Sequence, residues 1–148
     1  MAKIRLTKEF RFEMAHALWN YDGLCKNIHG HSYILFVTVM GEPIKDVNSH
    51  KLGMVMDFGD LKNIVSDEIV DQLDHSVVLS KATPNIEQYR NQEIFKRFFV
   101  TDYQPTCENM IVDFAERIKK RLPDDVVLHS LKLHETATSF AEWYAEDN

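Results

Sequence analysis

The stretch Ile4-Arg-Leu-Thr-Lys-Glu-Phe-Arg-Phe-Glu-Met-Ala-His16 alternates along its length. Ile4, Leu6, Phe10, Phe12 and Met14 share one parity, and Arg5, Thr7, Glu9, Arg11 and Glu13 share the other. A period of two marks a strand with one buried face. His16 continues the apolar parity, so it belongs at the rim of a core. There it is either a histidine bonded to a backbone carbonyl or a partly shielded metal ligand.

Outward from this strand, residues 17–28 hold Gly23 and several polar residues and read as a loop. Next comes His31-Ser-Tyr-Ile-Leu-Phe-Val-Thr-Val-Met40, a β-branched and aromatic run stopped by Gly41-Glu-Pro43. Both of its parities are apolar: Tyr33, Leu35, Val37 and Val39 on one, Ile34, Phe36 and Met40 on the other. A strand of that kind needs cover on both faces, from helices of its own chain or from another subunit. If strand geometry begins by His29, then His29 and His31 point to one side with roughly 6–7 Å between their Cα atoms. Gly30 leaves the approach between them unobstructed. A hairpin of the two strands brings His16 towards this pair.

Further along, Asp57 reads as the N-cap of a helix, with Asp60 in its first turn. Leu61, Ile64, Val65, Ile69 and Leu73 give it one apolar face, and it ends near Leu73-Asp-His75. Residues 76–100 are less legible: Ser76-Val-Val-Leu79 is a short extension, a short helix runs from Pro84 to Phe95, and Phe98-Phe-Val100 is an apolar patch. Thr106 caps the clearest helix, with Glu108 in its first turn. Ile111, Phe114, Ala115, Ile118 and Leu122 form its stripe, and Pro123 closes it. A third strand follows, with Val127, His129, Leu131, Leu133 and Glu135 on one parity. Phe140 to Tyr144 make a fourth. The order β-β-α-α-β-β is an α+β fold, an antiparallel four-stranded sheet with two helices on one face.

The chain has 148 residues, the size of one ordinary domain over 1–148, and its apolar and charged fractions, 45% and 27%, are those of a globular protein. A net charge of −6 with scattered acidic residues argues against nucleic acid as a partner. No apolar run is long enough to cross a bilayer, and the N-terminus lacks a signal-peptide core. Cys25 and Cys107 form no disulfide framework. A cytoplasmic, reducing location follows, and it suits a free reactive thiol.

The chemistry concentrates in His16 and Cys25-Lys-Asn-Ile-His29-Gly-His31. Three imidazoles leave an open fourth position on zinc, the pattern of a catalytic site. Cys25 has three readings: a buried small hydrophobe, a fourth ligand closing a structural site, or a thiolate activated by a nearby cation. Asp74-His75 is either a surface pair or a carboxylate orienting an imidazole for acid–base work. Glu108 is most simply a helix N-terminal carboxylate. Glu135 lies on a buried parity, where a carboxylate needs a partner.

Taken together, Phe12-Glu-Met-Ala-His16, Cys25-x-x-x-His29-Gly-His31, Gly53-Met-Val-Met-Asp-Phe58, Leu73-Asp-His75, Pro105-Thr-Cys-Glu-Asn109 and His134-Glu-Thr136 resemble the 6-pyruvoyl-tetrahydropterin synthase family. The matches run in order over nearly the whole chain. The three-residue gap after Cys25 is similar to the bacterial QueD-type enzymes, 6-carboxy-5,6,7,8-tetrahydropterin synthases of queuosine biosynthesis; the mammalian pyruvoyl enzymes have a longer gap. The resemblance implies a tunnelling fold (T-fold), with subunit sheets joined into a barrel and a homohexamer of two trimers with sites at subunit interfaces. It implies Zn2+ on His16, His29 and His31, Cys25 as proton acceptor, and Asp74 and His75 as a proton relay. Glu135 would anchor the pterin ring and couple to that relay, with Glu108 nearby. The implied activity is a lyase reaction converting 7,8-dihydroneopterin triphosphate to 6-carboxytetrahydropterin, acetaldehyde and triphosphate. The alternatives are the pyruvoyl reaction on the same substrate, or a non-catalytic, zinc-containing pterin-binding protein of the same fold. Met14 stands where the family has a small residue, and the segment from Lys81 to Val100 is longer than in compact members.

Overall fold

The computed structural model describes residues 1–148. The alternating stretch is strand β1 (Ile4–His16), and it pairs antiparallel with β2 (His29–Gly41) from Ile4 opposite Gly41 to His16 opposite His29. β2 begins two residues before the expected His31, because the ladder runs on to the end of β1. Tyr33, Leu35, Val37 and Val39 are buried on one face, whereas Ile34, Phe36 and Met40 are only half-buried on the other.

Asp57 caps the first helix as expected, its carboxylate accepting from the Gly59 amide at 2.7 Å. The helix is not uniform, however. α1 (Phe58–Val65) passes through a π-helical stretch (Ser66–Val70) into a last turn, α2 (Asp71–Leu73). Arg117 reaches into the widened turn and donates to the Glu68 carbonyl at 2.9 Å. β3 (Ser76–Ser80), α3 (Glu87–Arg90) and β4 (Phe98–Thr101) follow, then α4 (Cys107–Lys119), β5 (Val127–Thr136) and β6 (Ser139–Tyr144). The Thr106 hydroxyl accepts from the Asn109 amide at 3.2 Å, the expected cap of α4.

The sheet has six strands, in the order β4-β3-β1-β2-β5-β6. This corrects the four-stranded antiparallel expectation. Of the added strands, β3 pairs in parallel with β1, and β4 pairs in parallel with β3. Parallel strands are joined by a crossover and not by a tight turn, so no local turn chemistry announces them. The single short helix expected over Pro84 to Phe95 is instead α3 and a separate 3-10 turn, Glu93–Phe95.

A second correction concerns β5. Its ladder with β2 steps from Ser130 opposite Thr38 to Leu128 opposite Val39, passing over His129. That bulge switches parity, so Leu128 joins Leu131 and Leu133 in the core and Val127 turns out. α1 and α4 cover the face shared by these leucines with Phe12 and Tyr33. Leu61 and Phe114 are fully buried there, and Phe12 stacks on Tyr33 with ring centres 5.1 Å apart. No helix of the chain covers the opposite face, which carries Ile34 and Phe36. No helix is long and apolar enough to cross a membrane.

Candidate metal centre and its cleft

The β1–β2 register sets His16 directly opposite His29, and His31 follows on the same side of β2. Their ring centres lie 4.6 Å (His16–His29), 4.9 Å (His29–His31) and 5.2 Å (His16–His31) apart. One candidate ligand atom from each histidine falls within 4.8 Å of the others. Gly30 contributes nothing steric to this cluster. It alternates to the opposite face, where an added Cβ would meet only the Met14 carbonyl at an ordinary 3.6 Å.

Two of the rings are held from behind. The Nδ1–H of His16 donates to the Pro105 carbonyl and that of His29 to the Asn27 carbonyl, each at 2.7 Å. A proton on Nδ1 leaves the Nε2 lone pair free, which is how metal-bound histidines are oriented. The Nε2 atoms of His16, His29 and His31 are all buried without a hydrogen-bond partner. Burial lowers the His16 pKa to about 4, outweighing the Pro105 bond, with His29 and His31 adding to the shift. Burial also lowers that of His31, against the pull of Glu135. His16 and His31 are therefore neutral at pH 7, the form that binds metal. Three unpartnered nitrogens converging in a buried spot are a donor set that fits zinc.

A cleft of about 480 Å³ opens beside the cluster, lined by Trp19, Tyr21, Cys25, Cys107, Glu108 and Glu135 among others. Cys25 reaches it from a 3-10 turn, Leu24–Lys26, and its carbonyl closes the 17–28 loop by accepting from the Leu18 amide at 2.9 Å. Gln104 fixes the same loop from the other side. Its amide accepts from the Trp19 N–H at 3.2 Å and donates to the Trp19 carbonyl at 2.8 Å. No lysine or arginine lines the cleft.

Glu135 sits at a second bulge, between the His134–Phe140 and Thr136–Ser139 pairs. Its Oε1 is 3.4 Å from His31 Nε2 without hydrogen-bond geometry. It thus stands between the histidines and the cleft. Glu108 projects from the first turn of α4 into the same space. Cys107, its neighbour, is buried and donates to the Leu133 carbonyl at 3.3 Å. Burial, with Glu135 adding to it, pushes the Cys107 thiol up to about 12. Tyr33 packs its ring against His16 and His31, and its buried hydroxyl has no partner.

The chain brings together His16, His29, His31, Cys25, Glu108 and Glu135. It does not bring Asp74 and His75 to them. Those two do pair, with His75 Nδ1 3.0 Å from Asp74 Oδ2, yet the His75 side chain is 75% exposed and lines no part of this cleft. Asp74 also accepts from the Glu13 amide at 2.8 Å, and that bond leads the effects holding its carboxyl below the usual range.

Residues 5–146 match the family model described as 6-pyruvoyl tetrahydropterin synthase. A 6-carboxy-5,6,7,8-tetrahydropterin synthase from Haemophilus influenzae is 35% identical over 141 residues, covering 94% of this chain and 97% of that protein. A dihydroneopterin monophosphate aldolase from Pyrococcus furiosus is 35% identical over 133 residues, covering 90% of each. Among solved structures, the 6-pyruvoyl tetrahydropterin synthase of Caenorhabditis elegans superposes with a TM-score of 0.71 at 25% identity, covering 98% of this chain and 97% of that one.

Proposed function

Because this chain belongs to the 6-pyruvoyl tetrahydropterin synthase family, with its tunnelling fold, we propose that it is a zinc-dependent 6-carboxy-5,6,7,8-tetrahydropterin synthase. It acts as one domain over residues 1–148 on 7,8-dihydroneopterin triphosphate. The observation that carries this reading is the trio of buried, unpartnered Nε2 atoms on His16, His29 and His31, beside a cleft lined by two cysteines and two carboxylates.

His16, His29 and His31 would hold the zinc, which when bound would supply Lewis-acid polarisation to the oxygens on the substrate's side chain. Glu135 binds the pyrimidine edge of the pterin, whose adjacent N–H groups suit bidentate acceptance by a carboxylate. Glu108 lies across the same space and shares in ring binding. Cys25 is the base that takes the proton from the substrate's side-chain carbon. Asp74 orients the His75 imidazole, which passes protons on as triphosphate leaves and as the side chain, with uptake of one water, is cleaved to a carboxylate and acetaldehyde.

The exposed position of Asp74–His75 supports a site completed between subunits, in a hexamer of two trimers. Two further observations support it. β3 pairs with β1 only over Met14–His16, so the outer edge of β1 from Ile4 to Phe12 has no strand neighbour within the chain. The uncovered sheet face carries Ile34 and Phe36.

The test is to incubate the zinc-loaded protein with 7,8-dihydroneopterin triphosphate and measure acetaldehyde beside the pterin product. Acetaldehyde in step with a 6-carboxypterin is expected. A pyruvoyl product without acetaldehyde would instead assign the pyruvoyl reaction, and zinc-replete protein that binds pterin without turnover would assign a binding role. The aldolase among the relatives motivates a second reading, action on the monophosphate, which a parallel incubation with that substrate decides.

A further inference from the structure

The segment between β3 and β4 takes no part in the chemistry proposed above, and it ends on Arg97. From that position the guanidinium reaches back over the end of the first helix. Its Nε donates to the Asp74 carbonyl at 2.9 Å, and one Nη to the carbonyls of Asp71 at 2.6 Å and Gln72 at 2.9 Å. Carbonyls of a last helical turn lack backbone partners, and a cation is favoured there by the helix dipole. A planar fork with fixed N–H directions serves several carbonyls at once, as a single ammonium does not. Arg97 is itself tied to β3, since its carbonyl accepts from the Val77 amide at 2.9 Å.

Arg97 holds the entry to a strained turn. His75 has φ of +61°, in the left-handed region that residues bearing a Cβ seldom adopt. The surrounding bonds are dense. The His75 amide donates to the Glu13 carbonyl at 2.6 Å, Asp74 Oδ1 accepts from the Glu13 amide at 2.8 Å, and Ser76 Oγ donates to the Leu73 carbonyl at 2.6 Å. Such a conformation persists where its surroundings over-determine it, and these positions cluster at functional sites. The His75 ring is exposed, so packing within the chain does not aim it. The turn does, together with the Asp74 carboxylate.

We infer that Arg97 is a positioning residue for the Asp74–His75 pair, fixing the Asp74 carbonyl and thereby the direction of the His75 imidazole. The inference rests on the proton-relay reading of Asp74 and His75.

The test compares Arg97→Ala, Arg97→Lys, His75→Ala and the Arg97→Ala/His75→Ala double variant, all as zinc-loaded oligomers. Arg97→Ala is expected to lower kcat on the order of tenfold or more, the scale of a misaimed catalytic group, with little change in KM. Arg97→Lys should recover part of that loss. On the His75→Ala background, Arg97→Ala should cost nothing further, because the two act as one unit. The His75 ring proton resonances should also move in Arg97→Ala and move less in Arg97→Lys, a readout that needs no turnover. An equal loss with and without His75 overturns the inference, as does wild-type kcat in Arg97→Ala while His75→Ala is impaired. Full turnover in His75→Ala overturns the relay reading itself and the inference with it.

Discussion

At the residue scale, the cluster of three histidines that could hold a metal is the most legible feature of the chain. Alternation places His16 on the buried parity, the spacing places His29 and His31 on one side, and the observed register sets His16 against His29. Their supports were not legible. Pro105 and Asn27 hold the rings through main-chain carbonyls, and Gln104 clamps Trp19 through its amide. A backbone acceptor carries no residue signature, so no pattern of side chains points to it. In the sequence Cys107 is one of two cysteines that form no disulfide framework and a member of the Pro105–Asn109 motif, with no role of its own. Its burial beside Glu135 gives it a definite chemical state, since a thiol raised to about 12 is protonated at pH 8 and therefore a poor nucleophile. Alkylation of the folded protein at pH 8, followed by peptide mapping, should label Cys25 and spare Cys107, with both labelled after denaturation. Labelling of Cys107 in the folded protein would contradict this assignment, and an inert Cys25 would favour a closed metal site.

Legibility at the level of elements depended on whether pairing was local. β1, β2 and α4 carry their own periodicity and caps, and the structure reproduces them closely. β3 and β4 do not, because a five-residue and a four-residue parallel strand gain their partners through a crossover. The bulge at His129 is equally silent, since one unpaired residue shifts parity without changing composition. α4 matters most to the site, as its first turn presents Cys107 and Glu108 to the cleft. Loss of its cap in Thr106→Ala should destabilise the fold by about 1 kcal/mol, against roughly 3–5 kcal/mol for emptying the core at Phe114→Ala. Denaturant unfolding of the two variants checks this ordering; an equal cost would mean that the cap is not what fixes the start of α4.

For the whole molecule, the features left unexplained by a single chain are consistent with one another. An uncovered sheet face, an open β1 edge and a histidine–aspartate pair outside the cleft are all accounted for by the proposed subunit contacts. A sequence read as one chain predicts that β2 needs a second layer, but it does not say which residues meet across a subunit boundary. Complementation addresses this directly. Cys25→Ala and His75→Ala oligomers should each be severely impaired, and co-assembly of the two should restore roughly a quarter of wild-type turnover if each site takes Cys25 and His75 from different subunits. Verified mixed oligomers no more active than either parent would place both residues in one chain's site. In the proposed site three histidines hold the metal while Cys25 moves a proton beside it. The most direct measurement is the zinc content of purified Cys25→Ala protein, taken alongside its turnover. Zinc retained at the wild-type level with turnover abolished is the predicted result. Loss of zinc on that substitution would make Cys25 a ligand and contradict the account.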